Sequence, residues 1–386
     1  MFDIALPLIL IGTLSFLVEQ PSQRRYFLTG LVIGLTAIFG RNHGLYSVLG
    51  SLGIIAYLAI RRESGASLMK VFAYWLLGII VGYLPMLVFL LTSPGFAQAF
   101  WESILWLFEI KGTNLPLPIP WPWLVPFGKL SVIEIIRGLA LGSLFIAIVV
   151  FGIVGIVWAI RKKLKGEAVP AVLIASIFLA LPYAHYAYSR ADITHLAPSI
   201  PPFLTGMLVV IFAIQSGKVK WLFAAILCGV SLLVMLPTHY GWQCYSTPSC
   251  VQIDAVGDKL KIDKDVGRDV AFFDRLVMSH APNGRAFVVF SIFPGVYAAL
   301  ERKSPIWDIY PLFPRSVTFQ KKEIERIKAA DPGFVLIYDY ALDGRDELRF
   351  SNTHPVVYQY IRDNFEQFQL NGYTNPVLKF YKSRER

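Results

Sequence analysis

The stretch Gly155-Ile-Val-Trp-Ala-Ile-Arg-Lys-Lys-Leu-Lys-Gly-Glu-Ala-Val-Pro170 decides the fold. It joins two long apolar runs, 138–160 and 168–187, and sets Arg161, Lys162, Lys163 and Lys165 in the short gap between them. Six more apolar runs flank this pair: roughly 2–18, 26–40, 45–60, 71–92, 196–214 and 221–237. A bilayer core of about 30 Å asks a helix for about 17–25 apolar residues, so each run reads as a membrane span, the two shorter ones with local adjustment of the bilayer. Basic residues recur in alternate gaps: Arg24 and Arg25; Arg61, Arg62 and Lys70; the Arg161–Lys165 cluster; Lys218 and Lys220. The other gaps hold Arg41, Lys111, Lys129 and Arg190. Short basic loops stay in the cytoplasm, so one orientation satisfies all eight spans, with the N-terminus and the long C-terminal tail both outside.

Composition agrees. Hydrophobic residues make up 55% of the 386, mean hydropathy is +0.55, and only 16% are charged, against about a quarter in a soluble domain. The net charge of +10 is in large part topogenic, placed at span ends where it also meets anionic headgroups. The tail has no basic run interleaved with aromatics, so the partners this chain calls for are membrane lipids and not nucleic acid. The expected fold class is an α-helical polytopic membrane protein of about eight transmembrane helices, residues 1–237, followed by a small extracytoplasmic α/β domain, residues 238–386.

Residues 1–18 lack the basic leader and small-x-small cleavage site of a signal peptide. An outward N-terminus that begins almost directly in a span implies an earlier, inward-starting helix and external loop, in a missing N-terminal part or a partner subunit.

The long external segment 94–130 falls into two halves. Phe96 to Ile110 repeats bulky residues at helical spacing and reads as a helix in the interface plane. Pro116-Leu-Pro-Ile-Pro-Trp-Pro-Trp-Leu-Val-Pro126 cannot form a regular helix, because its prolines fix φ and remove donors. Tryptophans at this level are an interfacial anchor or a lid over a lipid-facing site. In the tail, 265–280 reads as an amphipathic helix, Asn283-Gly284 as a turn, 286–290 and 334–338 as buried strands, and 294–301, 321–330 and 355–364 as helices. A closing pair of strands follows at 365–370 and 377–381. No glycine-rich phosphate loop follows either central strand. Cys244 and Cys250 stand just outside the membrane, where an oxidising compartment favours a structural disulfide over a free pair. Cys228 lies inside the last span as an apolar packing residue. No His or further Cys completes a metal site, no cofactor is marked, and the residues do not say whether a divalent metal takes part.

Two external loops concentrate polar groups at membrane depth. One is Gly40-Arg41-Asn42-His43-Gly44-Leu45-Tyr46. The other runs from Tyr183 to His195 and carries His185, Tyr188, Arg190, Asp192 and His195. Ionisable groups at this depth line a polar cavity or pair with each other. Arg190 with Asp192 also reads as an ion pair capping a helix end, and Arg41 and His43 as side chains reaching for the interface. The chemistry the set suits is binding a phosphorylated lipid through Arg41, Asn42, His43, Tyr188, Arg190, Asp192 and His195. Arginine offers a planar fork to phosphate oxygens, and histidine a hydrogen bond or a proton. No carboxylate near the N-terminus is marked as a base; Asp3 has nothing in its sequence surroundings to single it out. Glu102 and Glu109 read as a solvated helix face.

The run of spans, the segments Gly34-Leu-Thr-Ala-Ile-Phe-Gly-Arg-Asn-His-Gly-Leu-Tyr46 and Ser189-Arg-Ala-Asp-Ile-Thr-His-Leu-Ala-Pro-Ser-Ile-Pro-Pro202, and the α/β tail resemble the GT-C membrane glycosyltransferases. These include protein O-mannosyltransferases and the bacterial enzymes that decorate lipid A or surface polysaccharide. The resemblance implies a multi-pass protein of the bacterial inner membrane that transfers a hexosyl or pentosyl group from a polyprenyl-phosphate sugar at the external face. The family's essential acidic residues sit in a first external loop that this chain does not contain. A non-catalytic scaffold that holds lipid-linked sugar or a partner enzyme is the second reading. A transporter is a weaker third, since no inverted repeat or charge relay is present.

Overall fold

The computed structural model describes residues 2–60, 67–110, 114–246, 249–255, 257–290, 295–370 and 376–384. Arg61, Arg62, Lys111 and Pro294, used in the readings above, lie outside the described residues. The chain is mostly helical and divides into two units, Met1–Thr238 and His239–Arg386.

Every apolar run of the first unit is helical: α1 (Phe2–Glu19), α2 (Gln23–Phe39), α3 (Arg41–Ala59), α4 (Leu68–Gly82), α5 (Leu84–Thr92), α6 (Phe96–Ile110), α7 (Val132–Lys165), α8 (Ala171–Ser189), α9 (Ile193–Ser199), α10 (Pro201–Phe212) and α11 (Gly217–Met235). The runs 71–92 and 196–214 are each broken, by 49° between α4 and α5 and by 53° between α9 and α10. Pro85 at the start of α5 and the Pro201-Pro202 pair at the start of α10 account for both, because proline cannot donate to the preceding turn and clashes with it. Among the described residues three helices, α7, α8 and α11 with the short turn that follows it, are long and apolar enough to cross a membrane. The count is five if each bent pair is one span. The first three helices give part of their length to polar residues: α1 carries Asp3 and Glu19 at its ends, α2 has 17 residues, and α3 spends its first turn on Arg41-Asn42-His43.

α7 shows how sequence sets helix limits. Ser131 and Glu134 form a reciprocal capping box, Lys162, Lys163 and Lys165 occupy the last turn, and Gly166 closes it at φ 77°, each matching the helix dipole or an orphan terminal group. At 34 residues it is roughly 50 Å long, more than a bilayer core requires. α8 is the centre of the unit. Ile174, Leu179, Ala180, Tyr183 and Ala187 are fully buried against α1, α3, α7 and α10. Outward-facing Leu76, Ile80, Val154 and Ile226 remain about half exposed, a surface that suits lipid as solvent.

The second unit holds α12 (Tyr240–Ser246), β1 (Cys250–Ala255), β2 (Asp258–Asp263), α13 (Lys264–His280), β3 (Val288–Phe290), α14 (Gly295–Ala299), α15 (Val317–Ala330), β4 (Phe334–Tyr338), α16 (Phe350–Thr353), α17 (Pro355–Asn364), β5 (Phe365–Phe368) and β6 (Leu378–Ser383). β1 and β2 form an antiparallel hairpin, and a disulfide joins Cys244 of α12 to Cys250 at the start of β1. The main sheet runs β3-β4-β6-β5, with β3 and β4 parallel and the other pairs antiparallel. Alternation along the strands divides the core. Val335 and Ile337 pack with α15 and α17, while Phe334 and Leu336 pack with α13. Helices thus cover both faces, which is why the two central strands read as unbroken apolar runs. Asn283 and Gly284 turn at φ 55° and 81°. A shallow aromatic cleft, open to solvent, is lined by Phe290, Tyr338, Tyr340 and Phe350 among others and carries no charged side chain.

Candidate functional site

The first predicted loop shrinks to one residue. Gly40, with extended backbone, ends α2 and begins α3, so Arg41, Asn42 and His43 form the first turn of a helix and not a loop. The junction is this short because Gly44 lets the helices touch: a Cβ there would lie 2.6 Å from the Ala37 Cβ. The second loop shrinks too. Tyr183–Ser189 are the last turns of α8, and the chain breaks only at Arg190–Asp192 before Asp192 caps α9 through the His195 amide at 2.9 Å.

These turns meet around Tyr186. Its ring centroid lies 6.2 Å from that of His43 and 5.4 Å from that of His195. On one side, buried His43 pairs through Nε2 with Asp3 Oδ1 and through Nδ1 with the Tyr183 hydroxyl, both at 3.0 Å. Tyr46, packed on Tyr183, shares a 2.9 Å hydrogen bond with Nδ1 of exposed His185. On the other side, Asp192 Oδ1 accepts from the Thr194 hydroxyl at 2.6 Å and faces His195 Nδ1 at 2.7 Å, while Oδ2 accepts from Arg190 Nε at 3.0 Å. Burial acts to raise the Asp192 carboxyl, but the hydrogen bonds from His195 and Thr194 outweigh it and hold the group well below the usual carboxylate range.

The carboxylate also fixes the ring of His195. With Nδ1–H donating to Asp192, Nε2 is the acceptor, and Asn114 Nδ2 donates to it at 2.7 Å. Arg190 Nη1 donates to the Leu115 carbonyl at 3.0 Å. Asn114 and Leu115 therefore strap the site just ahead of the Pro-Trp stretch. The middle of that stretch is seated on α7, where a Cβ on Gly142 would come within 2.4 Å of the Pro120 carbonyl oxygen. Trp121 and Trp123 stack at 5.2 Å, with Trp123 largely exposed.

The seven residues singled out from sequence divide as follows. His43, Arg190, Asp192 and His195 come together. Arg41 is exposed and turns to α6, donating to Ser103 Oγ at 3.3 Å. Asn42 is half-buried in the same turn. Tyr188 points into the core, its hydroxyl donating to the Phe145 carbonyl at 2.9 Å; it is a packing residue. Asp3, Asn114 and Tyr186 join the site without having been predicted. Asp3 carried a signal, as a carboxylate at the head of an otherwise apolar run. Asn114 carried none, because its contact is made across 81 residues.

Among the described residues no group of three or more His, Cys, Asp or Glu is placed to hold a metal ion. Comparison with protein-family models, with curated proteins and with solved structures found no match.

Proposed function

We propose that the chain is a GT-C-like glycosyltransferase of the bacterial inner membrane. It crosses the bilayer eight times with both termini outside, and transfers a hexosyl or pentosyl group from a polyprenyl-phosphate donor at the external face. The observation that carries this reading is the meeting of two polar turns around Tyr186. In the orientation derived from the basic gaps, the start of α1, the start of α3, the end of α8 and the start of α9 all fall on the external side. Those are the four helix ends that supply Asp3, His43, Tyr186 and the Arg190–His195 turn. A charge-derived topology and a side-chain cluster thus agree on one membrane face.

Arg190 and His195 are the groups for the donor phosphate. Arg190 is held by Asp192 through Nε and donates Nη1 to the Leu115 carbonyl, a contact that it would exchange for phosphate oxygens when the donor binds. A fixed guanidinium stabilises the charge that develops on a departing phosphate. A second reading, a scaffold that binds lipid-linked sugar without acting on it, draws on the strap, because Asn114 and the Leu115 carbonyl already satisfy His195 and Arg190.

The test is binding of undecaprenyl phosphate to the purified chain in nanodiscs. Arg190→Lys keeps the charge but loses the planar fork, and should bind about tenfold more weakly, roughly 1.4 kcal/mol. Equal binding by the two proteins removes the reading. A reporter fused after Arg386 that is active only in the cytoplasm removes the topology.

A further inference from the structure

We infer that Asn114 and Leu115 form an autoinhibitory strap, docked on Arg190 and His195 where a phosphate would sit, which must lift before an anion binds. The inference rests on the phosphate-binding reading above and adds a control to it.

The two groups are held from behind and closed in front. Asp192 fixes both, through Arg190 Nε and His195 Nδ1. The strap takes their other nitrogens. The Asn114 side-chain amide donates to His195 Nε2, and its oxygen accepts from the Leu115 backbone amide at 3.0 Å. The Leu115 carbonyl accepts from Arg190 Nη1, and the residue is only 4% exposed. One dipeptide thus covers the nitrogens that a phosphate would use.

The chemistry of these contacts makes them replaceable. A neutral backbone carbonyl is a weaker partner for a guanidinium than a phosphate oxygen, because hydrogen bonds that involve ionised groups are the stronger ones. Asn114 donates to His195 Nε2, whereas the oxygens of a phosphate dianion accept. The strap therefore selects the neutral imidazole and the dianion selects the protonated one. Both cannot hold His195 at once.

The arm behind the tip moves as a piece. Pro116, Pro118 and Pro120 fix φ, and each restricts the residue ahead of it (Leu115, Leu117 and Ile119) to extended backbone. An arm of this kind from Leu115 to Pro120 spans about 19 Å. Its base is seated on α7. A Cβ on Gly142 would lie 2.4 Å from the Pro120 carbonyl oxygen and 2.6 Å from the Pro122 nitrogen, and one on Gly138 would lie 3.1 Å from Val125 Cγ2. A stiff arm on a fixed base makes and breaks its tip contacts together, which gives the site two discrete states. A strap that served packing alone would be secured at this base, with no need to place an amide and a carbonyl on the phosphate-binding groups.

The experiment uses the full chain in nanodiscs, with undecaprenyl phosphate and inorganic phosphate as separate probes. Affinity is measured, together with the rate at which a maleimide labels Leu115→Cys in a Cys228→Ser background. Cys228 is the free cysteine and the other two are bridged, so the new thiol reports the tip. A tip docked for about nine-tenths of the time lowers apparent affinity about tenfold. Asn114→Ala, which releases His195, should therefore bind undecaprenyl phosphate more tightly than wild type, by up to about tenfold. Saturating undecaprenyl phosphate should speed labelling of Leu115→Cys severalfold. Binding by Asn114→Ala that is no tighter than wild type overturns the inference and leaves the phosphate reading standing. So does a Leu115→Cys thiol whose labelling undecaprenyl phosphate leaves unchanged or slows, since the strap would then be a fixture or a clamp. Equal acceleration by inorganic phosphate keeps the strap and assigns it to free phosphate in place of a lipid. A wild-type protein that binds neither probe brings down the phosphate reading, and this inference with it.

Discussion

Gly30 and Gly78 face each other where α2 crosses α4. A Cβ built on Gly78 would lie 3.0 Å from the Gly30 Cα and 2.1 Å from the Phe27 carbonyl oxygen. One turn along, Gly34 and Gly82 repeat the arrangement, with Cβ positions 2.3 Å from the Ile79 and 2.1 Å from the Leu31 carbonyl oxygens. Each helix thus contributes a Gly-x-x-x-Gly pair, and backbone meets backbone, as small residues allow in lipid, where packing and not hydrophobicity draws helices together. The neighbours are main-chain atoms and cannot rotate away. Gly78→Ala should therefore cost about 1–3 kcal/mol or more. Gly12 has nothing within 4 Å of its would-be Cβ, so Gly12→Ala should be neutral or mildly stabilising. Thermal unfolding of the purified protein in detergent separates the two, and equal midpoints would show that the helices do not cross this closely.

Asp192 is both cap and counter-ion. Its carboxylate accepts the His195 amide, and its two oxygens serve Arg190, Thr194 and the His195 ring. Asparagine caps a helix nearly as well, so Asp192→Asn isolates the loss of charge. The partly buried Arg190 then faces a neutral amide in place of a carboxylate, and the protein should lose about 2 kcal/mol. The measurement is the thermal midpoint of Asp192→Asn beside that of Asp192→Ala. A drop confined to the alanine variant would mean that capping alone matters.

Much of this was legible in the chain. All eight apolar runs proved helical, and the strands 286–290 and 334–338 appear as β3 and β4, because unbroken apolar stretches can only be buried. The β1–β2 hairpin was not read. Asp258-Lys-Leu-Lys-Ile-Asp263 is mostly exposed and lacks the apolar face that marks a strand. The bends at Pro85 and Pro201 leave no mark on hydropathy, since the runs stay apolar across them. The polar turns were found by composition, but their extent was misjudged: Gly40 alone suffices to reverse the chain once Gly44 lets α2 and α3 touch. The pairing of Asp3 with His43 leaves no trace in the sequence, because 40 residues separate them and only packing brings them together.

The Cys244–Cys250 bridge closes a loop with a sequence separation of 6 and ties α12 to β1. So short a loop should contribute about 2 kcal/mol through the unfolded chain. Of the three cysteines only Cys228 is free. Alkylation of the denatured, unreduced protein should therefore label one thiol, and all three after reduction. Three labelled thiols without reduction would rule the bridge out.

Acid should loosen the second unit through Asp308. This carboxylate, 6% exposed, accepts from Arg315 Nε at 2.6 Å, and His354 Nε2 stands 3.6 Å away, an electrostatic contact too long for a hydrogen bond. Burial acts to raise the Asp308 carboxyl, but His354 and Arg315 outweigh it, and the group titrates below its ordinary value. Asp339, paired with Lys379 at 2.6 Å, is shifted the same way. A carboxyl lowered in the folded state binds its proton less readily there than in the unfolded chain. Its contribution is therefore complete above the unfolded value of about 3.9 and is lost as pH falls through the folded one. Hydrogen–deuterium exchange of peptides covering β3 and β4 in the full chain, corrected for intrinsic rates, should show protection that holds from about pH 6 to about pH 4 and then declines. Asp308→Asn removes the charge opposite Arg315 in a mostly buried site, so it should lower protection by about 3 kcal/mol at the upper end. It should also flatten the acid decline to the part that Asp339 supplies. An unchanged decline in Asp308→Asn would show that this carboxylate is not what acid acts on.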